Sequence, residues 1–78
     1  GVNMAELKFK IVDNFGELST AANGWSKELN LVSWNDKQPK YDIRAWDESH
    51  EKMGKGITLS KEEMLILKGI LNNMDFED

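Results

Sequence analysis

The chain has 78 residues, no cysteine, one proline and one histidine, with ten basic against fourteen acidic residues. That length gives one domain, too short for a dinucleotide-binding fold with a substrate domain or for a TIM barrel. Without cysteine, and with His50 alone, disulfide frameworks, Fe–S clusters, thiolate zinc sites and multi-histidine centres are excluded. Gly1-Val2-Asn3 precedes Met4-Ala-Glu-Leu and reads as an expression remnant, which leaves 4–78 as a single domain. Residues 6–12 alternate Leu7, Phe9 and Ile11 with Glu6, Lys8 and Lys10, the period of a half-buried strand. This strand can run on, with a bulge near Gly16, to Leu18. Asn23-Gly24 marks a turn, since both residues tolerate positive φ. In 25–34, Leu29, Leu31 and Ser33 point one way; Glu28, Asn30, Val32 and Trp34 point the other. Asn35 to Pro39 is the next turn. In 40–47, Tyr41, Ile43 and Ala45 share one face, and Lys40, Asp42, Arg44 and Trp46 share the other. Glu48 to Gly56 reads as a polar loop before a short strand, 56–59. Ser60 and Glu63 form a capping box. Met64, Leu67, Ile70, Leu71 and Met74 then recur at helical spacing.

The order is strand, strand, strand, strand, helix. It predicts an α+β fold, a four-stranded curved antiparallel sheet followed by one C-terminal helix. A core of this size supplies only about 3–5 kcal/mol, and one helix covers only part of such a sheet. A second copy of the chain is the expected missing stabiliser, giving a homodimer. No run approaches the ~20 apolar residues of a membrane span, and no basic-then-apolar signal peptide opens the chain. A soluble, cytoplasmic protein with no membrane partner is expected, and nucleoid association is compatible with that.

Catalytic patterns are weak. Ser49-His50 lies in a polar loop, and sequence neighbours rarely adopt triad geometry; His50 is predicted to be a solvated loop residue. Glu62 and Glu63 suit the first turn of a helix. Gly54-Lys55-Gly56 lacks the spacing of a P-loop. No enzyme activity and no cofactor are expected. Trp25 shares parity with Leu29 and is assigned to the core.

The polar face of the sheet says more. Lys40, Arg44 and Trp46 share one face of the third strand, Trp34 ends the second and Lys37 follows it. Lys52 and Lys55 bracket the glycine-rich segment. Cations interleaved with aromatics suit single-stranded nucleic acid, in which phosphates meet Lys and Arg while unpaired bases stack on rings. The competing reading is that the charges only solubilise a half-exposed sheet and the tryptophans pack in the core. Between residues 25 and 56, six basic residues (Lys27, Lys37, Lys40, Arg44, Lys52, Lys55) balance six acidic ones (Glu28, Asp36, Asp42, Asp47, Glu48, Glu51). The −4 net charge therefore arises outside this segment and does not exclude a nucleic-acid partner.

The runs Val-Ser-Trp-Asn-Asp from Val32, Asp-Ile-Arg-Ala-Trp from Asp42 and Lys-Met-Gly-Lys-Gly-Ile-Thr-Leu-Ser from Lys52 point to a family. They resemble the C-terminal DNA-binding domain of the eukaryotic transcriptional coactivator positive cofactor four. The resemblance is closer to the small bacterial YdbC-type members of that superfamily. Those members share Gly-Trp, Lys-Glu-Leu-Asn, Pro-Lys-Tyr-Asp-Ile-Arg and His-Glu-Lys-Met-Gly-Lys-Gly-Ile-Thr-Leu-Ser. The resemblance extends from about Leu7 to Leu71. It implies a dimeric β-β-β-β-α domain that binds single-stranded DNA along its sheets with little sequence preference and works with the transcription machinery. By this resemblance Arg44 and Lys55 match DNA-contacting positions. Lys52, Lys37 and Lys40 lie near the family's basic positions, and Trp34 and Trp46 near its aromatics. The family's more basic second strand is replaced here by Glu28 and Asn30. RNA fits the same chemistry. An acidic dimeric protein-interaction module without physiological nucleic-acid binding is the alternative.

Overall fold

The computed structural model describes residues 7–77; the remnant inferred at residues 1–3 lies outside them. The elements are β1 (Phe9–Thr20), β2 (Ser26–Trp34), β3 (Lys40–Trp46), β4 (Met53–Leu59) and α1 (Lys61–Asn72). They form one antiparallel sheet in the order β1-β2-β3-β4, followed by the helix. This is the α+β architecture expected from the sequence. Two boundaries differ. β1 begins at Phe9 and continues to Thr20, and β4 begins at Met53, taking in the end of the predicted loop. Among the described residues no helix is long and apolar enough to cross a membrane.

β1 keeps pace with β2 only by bulging. The register shifts between Ile11 and Asp13, between Asn14 and Gly16, and between Glu17 and Ser19. A bulge adds one residue on one strand and bends it. Here the residues at the shifts are Val12, Phe15 and Leu18. Their spacing of three explains why simple alternation fades beyond Ile11. Phe15 stacks on Tyr41 with centroids 5.8 Å apart. The alternation of Phe9 and Ile11 survives, because they pair with Trp34 and Val32.

The turns follow their residues. Asn35 and Asp36 both have positive φ (52° and 61°), and Lys37 N–H donates to the Trp34 carbonyl at 2.9 Å. Asn and Asp are among the few side-chain-bearing residues that adopt this region readily. Gly24 (φ 91°) closes the first turn, where a Cβ would overlap the Glu48 carboxylate.

Ser60 caps α1. Its Oγ accepts from Glu63 N–H at 3.1 Å, and Glu63 Oε1 accepts from Ser60 N–H at 2.8 Å. Two otherwise unpaired donors of the first turn are thereby satisfied.

The two faces of the sheet differ in burial. Ser26, Glu28, Asn30, Val32, Asp42 and Trp46 are buried, and all six share the face that carries the alternating polar residues. The opposite face presents Leu29, Tyr41 and Ile43 to α1 across an apolar groove of about 630 Å³ that also includes Met64, Leu67 and Leu71. No residue of α1 is buried.

Candidate nucleic-acid interface

The polar face is organised by two carboxylates. Asp42, fully buried on β3, accepts from Arg44 Nε at 2.6 Å and Arg44 Nη2 at 2.8 Å. Thr58 on β4 donates to the same carboxylate at 3.0 Å. The guanidinium lies 4.8 Å from the Trp34 ring centroid, a cation–π distance. Arg44 crosses Gly56, where any Cβ would overlap its side chain and the Ile43 carbonyl. A glycine in the Lys-Gly-Ile run is thus required by the arginine beside it.

Arg44 is therefore first the partner of a buried carboxylate on its own strand, two residues away on the same face. Its guanidinium has five N–H donors, and Asp42 occupies two. Nη1 makes only long contacts, 3.6 Å to Met53 Sδ and 3.5 Å to the Gly54 carbonyl. With the side chain 15% exposed, donors remain for an incoming phosphate.

Glu28, the cross-strand neighbour of Arg44, holds the second cluster. It accepts from Asn14 Nδ2 and Asn30 Nδ2, each at 3.2 Å, and from the Ser26 hydroxyl. His50 Nε2 reaches it at 2.9 Å from the β3–β4 loop. Burial raises the Glu28 carboxyl, but the hydrogen bonds from Ser26, Asn30 and His50 and the nearby His50 charge together outweigh it, so the net shift is downward.

Trp46 corrects the sequence reading. Its parity is as expected, but it is fully buried and offers no face to a base. Phe9 packs against it at 5.2 Å and the His50 ring at 5.9 Å. Periodicity assigns a residue to a face without saying whether that face is covered. Trp34 remains partly accessible at the end of β2, between Phe9 and Arg44. Trp25, assigned to the core, is half-buried.

The cationic candidates fall at the two ends of β3. Lys37 and Lys40 are exposed at one end; Lys52 and Lys55 are exposed around the start of β4. None of the four pairs with a carboxylate among the described residues. Arg44 lies between them.

His50 also departs from expectation. It is half-buried, has a positive φ of 59° and anchors its loop to β2, 22 residues away in sequence. Asp47 organises the same loop, accepting from the amides of Glu51 and Lys52 at 3.0 Å each. The Lys52 amide bond is the main reason the Asp47 carboxyl is held below its ordinary value. The only sequence hint of this arrangement is an acidic residue, Glu28, on a strand face beside a loop histidine.

Residues 21–70 match the family model for the Transcriptional Coactivator p15 (PC4). The chain belongs to that family. The matched span runs from the first turn through all of β2, β3 and β4 into α1, so it includes Arg44 and the four lysines. The chain is also 46% identical over 77 residues to a protein of Treponema pallidum (strain Nichols) described as uncharacterized, covering 99% of this chain and 91% of that protein. PC4-like proteins bind nucleic acid and take part in transcription.

Proposed function

We propose that this protein binds single-stranded DNA with little sequence preference, as a homodimer, in transcription-related DNA transactions. The carrying observation is the line of unpaired cations, Lys37 and Lys40 at one end of β3 and Lys52 and Lys55 at the other, with Arg44 between them. Successive phosphates of a strand lying along β3 would meet these groups, and Trp34 would stack a base. Trp46, buried beneath Phe9 and His50, supports the platform without touching the strand. RNA offers the same phosphates and bases, and parallel titration with oligo-U decides between the two. The homodimer reading rests on the opposite face, where Leu65, Ile66, Ile70 and Leu71 of α1 are each at least 45% exposed. An exposed apolar area of this kind is normally covered.

Titration of a fluorescent oligo-dT at low and raised salt tests the binding. Saturable binding is expected, with log K falling against log salt by about 0.7 for each phosphate neutralised. Absence of binding at low salt refutes it. Light scattering that gives a monomer at micromolar concentration refutes the dimer. A dimer that ignores DNA would favour the alternative, a protein-interaction module presenting its acidic surface to another protein.

A further inference from the structure

The β3–β4 loop carries a built contact that phosphate binding alone does not require. His50 has two ring nitrogens, and both face oxygen acceptors. Nε2 lies 2.9 and 3.1 Å from the Glu28 carboxylate oxygens, and Nδ1 lies 3.2 Å from the Glu48 carbonyl. Neither an ionised carboxylate nor a carbonyl can donate. Both contacts are hydrogen bonds only when the ring carries two protons and hence a positive charge. The backbone is held to match: His50 has φ 59°, and its N–H donates to the Asp47 carbonyl at 3.0 Å. Left-handed backbone at a non-glycine residue is unfavourable and persists only where its surroundings impose it.

We infer that His50 is a positioning latch: its charged ring fastens the β3–β4 loop to β2 and so sets where Lys52 and the start of β4 present their cations to nucleic acid. The consequence for binding rests on the function proposed above; the latch itself does not. Lys52 follows two residues after His50, and its carbonyl accepts from Asp47 N–H at 3.1 Å. The Lys52 amide also donates to the Asp47 carboxylate at 3.0 Å, and the Asp47 carbonyl accepts from His50 N–H at 3.0 Å. A loop released from Glu28 therefore disturbs the same Asp47-centred turn that holds the lysine. Glu28 is fixed from three sides, by Asn14 of β1 and by Ser26 and Asn30 of β2. It is the rigid half of the contact, and the 39% exposed His50 side chain is the movable half.

The charged groups around the latch are few. Glu28 faces the ring from β2. Its cross-strand neighbours are Glu17 on β1 and Arg44 on β3, and Asp47 and Glu48 lie on the loop itself. Histidine changes charge between about pH 5 and pH 8, so a contact that needs both protons weakens as the pH rises through that interval. Loss of the second proton leaves one nitrogen facing an acceptor without a hydrogen. Nucleic-acid binding then becomes weaker in alkaline solution beyond any general effect of pH.

Two measurements test this. Nitrogen NMR of the imidazole, recorded at about pH 6 and about pH 8, should show both ring nitrogens protonated at the lower pH. It should show one proton lost at the higher pH, with faster amide exchange at Glu51 and Lys52. In Glu28→Gln, where the acceptor loses its charge, amide exchange at Glu51 and Lys52 should already be fast at the lower pH. A ring with one proton at the lower pH, or unchanged amide exchange at Glu51 and Lys52 in Glu28→Gln, overturns the latch. Where Glu28→Gln does not fold, His50→Gln supplies the second arm, because this variant keeps a donor but cannot gain charge. Oligo-dT affinity of the unaltered protein should fall about fivefold more than that of His50→Gln over the same pH rise, the lower end of ordinary coupling between sites. Equal pH profiles for the two proteins overturn the positioning role even if the spectra support the latch. Failure of the unaltered protein to bind oligo-dT at any pH overturns the proposed function, and the positioning role with it. The spectra still decide the latch.

Discussion

On one face of the sheet Glu28, Asn30 and Asp42 are buried with Val32 and Trp46; on the other, no described residue is buried although most are apolar. The comparison shows how differently the two kinds of surface are completed. The polar face is closed by directional bonds that one chain supplies for itself: Arg44 to Asp42, Thr58 to Asp42, and His50, Asn14, Asn30 and Ser26 to Glu28. Each carboxylate has partners, so its burial is tolerated. The apolar face needs area rather than direction, and one twelve-residue helix cannot provide it.

The largest test breaks the polar face. Arg44→Ala strands a buried Asp42 and should cost about 3–5 kcal/mol. That matches the total supply of a core this size, about 3–5 kcal/mol. Urea denaturation should find the variant mostly unfolded, which makes it a poor probe of DNA contact. The next test addresses the apolar face. Ile70, 53% exposed in the single chain, should be insensitive there, with Ile70→Ala within about 0.5 kcal/mol. Covered by a second copy, the same change should cost about 2 kcal/mol or more and make the unfolding midpoint depend on protein concentration. A concentration-independent midpoint and no loss would mean that the face stays open.

Smaller effects sharpen the contrast. Ser60→Ala removes a cap that neither face depends on and should cost about 1 kcal/mol, read from the same denaturation curves. Glu28 gives the polar face its acid limit. Its carboxyl is held below the ordinary glutamate value, so the unfolded chain takes up the proton first as the pH falls. The stabilisation is present above the unfolded value, about 4.3, and is lost as the pH falls through the lower folded value. Denaturation midpoints followed from neutral pH into this acid range should decline less steeply in Glu28→Gln. The smallest effect on stability belongs to Lys55→Ala, expected to be within about 0.5 kcal/mol. It should nevertheless reduce the salt slope of oligo-dT binding by about 0.7. An unchanged slope would remove Lys55 from the interface.

Much of this architecture is legible in the sequence. The alternation in 28–34 and 40–46 assigns every residue to its correct face, and Ser60 with Glu63 marks the helix start. Alternation fails in β1 because bulges reset the count at Val12, Phe15 and Leu18. At the candidate site, spacing brings Arg44 and Trp46 to the polar face, but it cannot show that Phe9 and His50 cover Trp46. Nor can it show that Arg44 is already engaged with Asp42. The covering of Trp46 by Phe9 depends on a contact between residues far apart in the chain, as does the conversion of His50 from a solvated loop residue into a tie to β2. The Arg44–Asp42 pair is local, but spacing alone does not distinguish it from two solvated charges.

The bulges of β1 carry one more consequence. β1 and β4 are the free edges of this sheet, and a regular edge is a template onto which another chain can add as a further strand. The ladder that joins β1 to β2 is interrupted at three places, each of which bends β1, and β4 has its own irregularity opposite Arg44 and Trp46. A protein that leaves so much apolar surface open on one face is thereby protected against polymerising along its edges. Strand addition at either edge is disfavoured.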